Sequence, residues 1–149
     1  MSPNNLPSER AAVVGVIDPD ANTAATYLTE WVPAKNFSKF LAVIMAGDLG
    51  ASATIDAKIR QATDSSGTGA KDVSGKAITQ LTKAGSDDNK QALINFSAAD
   101  LDINNDFTHV ALSMTVGTAT SDSGAALLGF DPRFGPASDN DTTTVDEIV

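Results

Sequence analysis

The sequence predicts an all-β chain, a single-domain antiparallel β-sandwich or jelly-roll-like body of about eight strands with flexible termini. Three observations predict it. Apolar and polar residues alternate with a period of two along the most regular stretch; short β-branched runs end at Asp, Pro and Gly; and such turn signals recur throughout the chain.

Taken in order, Val13 to Ile17 is a β-branched run closed by Asp18-Pro19-Asp20, and Ala25, Tyr27, Thr29 and Trp31 share one face before Pro33. Phe40 to Ala46 is apolar on both faces and stops at Gly47-Asp48, the pattern of a central strand covered on both sides. Ala53, Ile55, Ala57 and Ile59 alternate as a strand, although Ile55, Ile59 and Ala62 would also line one side of a helix. The Ser65-Ser66-Gly67-Thr68-Gly69 tip that follows favours the strand. Ala77 to Thr82 and Gln91 to Phe96 read as strands separated by Gly85-Ser86-Asp87-Asp88-Asn89. The clearest strand places Thr108, Val110, Leu112, Met114 and Val116 opposite Phe107, His109, Ala111, Ser113 and Thr115. Ala125 to Phe130 closes the set before Asp131-Pro132. The organisation expected is an N-terminal arm over 1–10, a sandwich over 11–135 and an acidic C-terminal tail over 136–149.

The composition bounds the chemistry. With 149 residues, 42% of them hydrophobic and 5% aromatic, the chain suits one domain with a real core. The absence of cysteine excludes disulfides, thiolate metal sites and cysteine nucleophiles, and a single histidine excludes any site of two imidazoles. The longest apolar run, Phe40 to Ala46, is far short of the roughly 20 residues of a membrane-spanning helix. Met1 to Arg10 lacks the apolar stretch of a secretory signal. The net charge of −9 is opposite to a nucleic-acid footprint. Residues 1–99 hold ten acids and nine bases, whereas residues 100–149 hold nine acids and Arg133 alone, so the last third carries −8 of the total. Such a segment suits solvent or a basic protein partner.

Each motif that suggests chemistry is incomplete. Gly75-Lys76 could end a phosphate loop, but Ala70 stands where its first glycine belongs and Ala77 where its magnesium-binding hydroxyl belongs. Asp100, Asp102 and Asn104 begin like a calcium loop, but Asn105 replaces its glycine and Ala111 its bidentate glutamate. Asp and Asn are also ordinary turn formers. His109 is the one candidate base near neutral pH, and no G-x-S-x-G nucleophile turn accompanies it. No cofactor, metal or catalytic set is expected. Trp31, Phe130, Arg133 and Phe134 are candidate partner contacts, because aromatics and arginine anchor interfaces; core and corner packing is the plainer account of the same residues.

A longer pattern resembles a known group. Trp31-Val32, the run Ala46 to Lys58, Gln61 to Asp64 with Gly67 to Asp72, Lys76 to Leu81 and Gly129 to Pro136 are together similar to small proteins of the head-structural modules of tailed bacteriophages. The resemblance covers roughly residues 11 to 139. It implies a non-enzymatic virion protein: a capsid decoration, or cement, protein on the outer surface of the major capsid protein lattice. It also implies a homo-oligomer, with a trimer as the expectation, localised to the capsid surface after assembly in the host cytoplasm. A head-fibre base, a head-tail adaptor and a tail protein share these features. A carbohydrate- or receptor-binding sandwich is the competing class, against which the scarcity of Trp and Tyr counts.

Overall fold

In the computed structural model, which describes residues 5–149, the period-two stretches become ten strands in two antiparallel sheets. Of the N-terminal arm, residues 1–4 lie outside the described residues, and Pro7–Arg10 forms a single helical turn, α1, with proline in its first turn. The strands are β1 (Ala11–Asn22), β2 (Ala25–Leu28), β3 (Val32–Pro33), β4 (Phe37–Ala46), β5 (Thr54–Ala62), β6 (Lys71–Ala77), β7 (Leu81–Thr82), β8 (Gln91–Phe96), β9 (His109–Gly117) and β10 (Ser121–Pro132).

One sheet has the order β1-β10-β4-β8; the other runs β2-β9-β5-β6, with β3 also on β9 and β7 also on β5. Counting β2 with β3 and β6 with β7 as broken single strands leaves eight positions, four per sheet. Successive positions alternate between the sheets except at β5 and β6. That order is a jelly roll.

The interleaving buries one face of each sheet. From the four-stranded sheet, Phe37, Phe40, Ile44 and Leu127 point inward; from the six-stranded sheet come Ile55, Ile59, Leu112, Met114 and Val116, all at most 2% exposed. Phe40 stacks on Phe96 with ring centroids 5.0 Å apart, and Phe37 meets Phe40 edge-on at 5.7 Å. Both are favoured aromatic geometries.

Three expected elements change. The stop at Asp18-Pro19-Asp20 does not occur: β1 runs on to Asn22, and a register shift against β10 between Ile17 and Asp20 accommodates the proline in this edge strand. The strand expected over Ala77 to Thr82 is mostly a connection, and the glycine-bearing stretch before it is strand β6. Lys71-Asp72-Val73-Ser74-Gly75-Lys76 conceals a strand because β6 lies at a sheet edge, so only Val73 is buried, and the register against β5 shifts between Lys58 and Arg60. Gly75 takes φ +75° within it. The Ala25 to Trp31 run breaks after Leu28, where the buried Thr29 side chain substitutes for the ladder. Its Oγ1 accepts from Leu112 N at 2.9 Å, while Thr29 N donates to Leu112 O at 3.0 Å.

The acidic tail begins against β1. Ala137, in the short turn Ala137–Asn140, is fully buried. Val13 N donates to Asp141 Oδ1 at 2.8 Å and Thr142 N donates to Val13 O at 2.8 Å, which occupies polar groups on the free edge of β1.

Candidate interaction surface

An antiparallel sheet with one face in the core normally turns a polar face to water. The six-stranded sheet does so. Across its outer face Lys58 and Arg60 pair with Asp72, Gln80 donates to Asp56, and Thr26 meets Thr115. The four-stranded sheet does the opposite.

Its register aligns the outward residues in rows. Val16, Ala126, Val43 and Leu93 form one row; Val13, Leu128, Leu41 and Asn95 form the next; Phe130 pairs with Lys39 beyond them, and Met45 with Gln91 at the other end. The register shift between Val13 and Gly15 leaves Val14 as the extra residue, which is what keeps both Val13 and Val16 on this face. Lys39 is the one charged member of these rows. Met45 is 53% and Leu93 60% exposed. With strands about 4.8 Å apart and same-face residues about 6.8 Å apart, the patch covers roughly 400 Å². A patch of that size is comparable to the largest on a typical monomer, where it is often functional.

The surface is concave towards the Met45 end. Pro19 packs over Gly124, where an added Cβ would come within 2.9 Å of the proline Cα, and Asn89, Gln91 and Asp122 stand at the margins. The resulting depression is about 850 Å³.

The four residues expected at an interface do not converge. Phe130 lies half-buried on the apolar sheet face. Asp131 then takes a left-handed conformation at φ 53°, which aspartate tolerates, and is held by Arg10 at 3.6 Å and by Ser38 Oγ donating to its carbonyl. Beyond that corner Arg133 reaches a different cavity, at one end of the sandwich, and Phe134 is 72% exposed. Trp31 is half-buried against the loop after β5. An added Cβ at Gly67, itself at φ +81°, would lie 2.5 Å from the indole Nε1. The outward apolar residues of β1, β4, β8 and β10 were hidden in the sequence because a strand apolar on both faces reads as doubly covered. The signal was present in Leu41, Val43 and Met45.

The candidate polar sites have internal partners. Asp100 accepts from Ser97 N at 2.8 Å, and Asp102 Oδ2 takes Lys71 Nζ and Asn105 Nδ2. The Lys71 ammonium, first, and the Asn105 amide hold the Asp102 carboxyl below the usual range. Among the described residues no group of three or more His, Asp or Glu side chains is placed to share a metal ion. His109 Nδ1 lies 2.9 Å from Thr108 Oγ1.

No family model matches this chain, and no curated protein matches it. Among solved structures it is similar to a chain of the cowpea mosaic virus empty virus-like particle (16% identity, TM-score 0.40, 78% of this chain and 57% of that one). It is similar also to tobacco necrosis virus (13%, 0.36, 84% and 95%) and to the infectious bursal disease virus Gt strain (12%, 0.39, 93% and 37%). The chain thus spans little more than half the length of the first of these. Likeness at that level decides nothing about function, and the jelly roll stands on the strand order.

Proposed function

We propose that this protein is a non-enzymatic virion component, a capsid decoration protein that docks on the outer surface of the major capsid protein lattice through the outward face of its four-stranded sheet. The observation that carries the reading is the contrast between the two outer faces, one polar and ion-paired, the other apolar with Lys39 as its one charge. Burying such a face removes apolar surface from water at about 25 cal/mol per Å². The rest of this acidic chain stays in solvent.

The patch is modest against the roughly 800 Å² per partner of a standard interface. A single docking event is therefore weak, and occupancy comes from several linked copies engaging a repeating surface. This fits a homo-oligomer, a trimer matching a threefold position. The resemblance to phage head-module proteins supports the same reading.

The test is cosedimentation of the purified protein with DNA-free heads of its own phage. The native chain is expected to pellet with the heads, and the Val43→Glu, Leu93→Glu variant to remain in the supernatant while keeping its circular dichroism spectrum. Equal pelleting of the two would reject the face. Failure of the folded native chain to pellet would reject the capsid assignment.

A further inference from the structure

A second feature lies at one end of the sandwich, away from the apolar sheet face. There β3, the β8–β9 connection and the segment after β10 enclose a cavity of about 390 Å³. Leu101, Ile103 and Phe107 supply apolar lining; Lys35, His109 and Arg133 supply its ionisable groups, and no carboxylate lines it. In a chain of nineteen acids and ten Lys or Arg this is a distinct place, since three other concavities of the molecule each contain at least one Asp or Glu.

The two strong bases of this cavity are uncommitted. Arg10, Lys58, Arg60, Lys71, Lys83 and Lys90 all form ion pairs. Among the described residues neither Lys35 nor Arg133 does, and both side chains are exposed. Ile103, in the apolar lining, is 61% exposed.

The same chain carries a segment of complementary chemistry. Its tail is fixed to β1 as far as Thr142, and Val145 N donates back to Thr142 O at 3.1 Å. Past that point come Asp146, Glu147, Ile148 and Val149, two acids followed by two aliphatics. Ile148 is 55% exposed and Val149 fully so. These residues stand clear of their own chain's cavity, whose lining includes nothing beyond Arg133.

We propose that residues Asp146–Val149 of one copy insert into this cavity on a second copy. Ile148 and Val149 then lie against Leu101, Ile103 and Phe107, and Asp146 and Glu147 meet Lys35 and Arg133. Donor and acceptor surfaces differ, so the contact is head-to-tail and builds a ring where the rotation closes. It is independent of the sheet face and of capsid binding.

Sedimentation velocity at low ionic strength tests it on the full chain, on the Lys35→Glu, Arg133→Glu variant and on the Asp146→Lys, Glu147→Lys variant. Native chain is expected to self-associate, and each variant alone roughly tenfold more weakly, from two exposed ion pairs lost. An equimolar mixture of the two variants restores association, because the exchanged charges again match. A native chain that stays monomeric, variants that associate as well as native, or a mixture that does not recover would each overturn the proposal. So would a His109 ring resonance that shifts on deleting residues 146–149 by the same amount at every protein concentration, which would place the segment in its own cavity.

Discussion

Val43 and Leu93 lie directly opposite each other on β4 and β8, and both point away from the core. Their chain neighbours Ile44 and Ile94 point inward and are buried. Polar substitution on the outer side is expected to leave stability nearly unchanged. Val43→Thr with Leu93→Gln should alter unfolding free energy by about 0.5 kcal/mol or less. Ile44→Ala alone should cost about 2–5 kcal/mol. Urea unfolding of both variants checks this; a large loss in the outer pair would mean that the face is already covered within the chain.

Gly129 faces the ring of Phe37, and a Cβ there would come within 2.6 Å of it. Phe37 is fully buried and braced by Phe40, so it has little room to retreat. Gly129→Ala is expected to destabilise by about 1–3 kcal/mol through overpacking. Thermal melting should show a fall of roughly 2–4 °C per kcal/mol in a chain of this size. A variant that melts like the native chain would refute the close packing.

Thr29 holds the break between β2 and β3 by accepting the buried Leu112 N–H. Valine matches its shape but not its hydroxyl, and would leave that donor without a partner. Thr29→Val is expected to cost about 1–3 kcal/mol, with faster amide exchange at Leu112. Native-like protection at Leu112 would show that the ladder closes without the threonine.

Acid should weaken the loop between β7 and β8. Asp87 is held below the usual carboxyl range first by the Thr82 N–H and then by Lys90; Asp88 is held down first by Lys83 and then by the Leu49 N–H. Both carboxyls are more acidic folded than unfolded. Their stabilisation is therefore complete above the ordinary carboxyl value near 3.8 and is lost as pH falls through the depressed folded values. Melting temperature measured from pH 6 downward should drop below about pH 4. The Asp87→Asn, Asp88→Asn variant should show a shallower drop, and identical slopes would exclude these two carboxylates as the cause.

Much of the architecture was legible in the chain, for reasons visible at particular residues. The alternation from Thr108 to Val116 marked a strand, and β9 is one of the two inner strands of its sheet; that Ala111 and Ser113, on its outward side, are buried too was not legible in the alternation. Ile55 and Ile59 belong to a strand, as the glycine-rich tip after them indicated. The edge strand β6 escaped because a strand with a single paired side needs few apolar residues, and Gly75 there resembles a loop. Trp31, Phe130, Arg133 and Phe134 were separable from the background by residue type. Their separation in space was not legible, because it depends on the left-handed corner at Asp131 and on which side of each sheet faces the other.

By itself the sequence determined the all-β class, several of the turns, the acidic last third and the lack of any complete catalytic motif, since these depend on residue identity and local period. Only the tertiary structure decided that the apolar residues of Phe40 to Ala46 divide between the core and an open surface. Period two assigns residues to opposite faces of a strand, but what covers each face is fixed by strands distant in sequence. For Leu41, Val43 and Met45 those strands are β8 and β10, which extend the apolar face sideways without covering it.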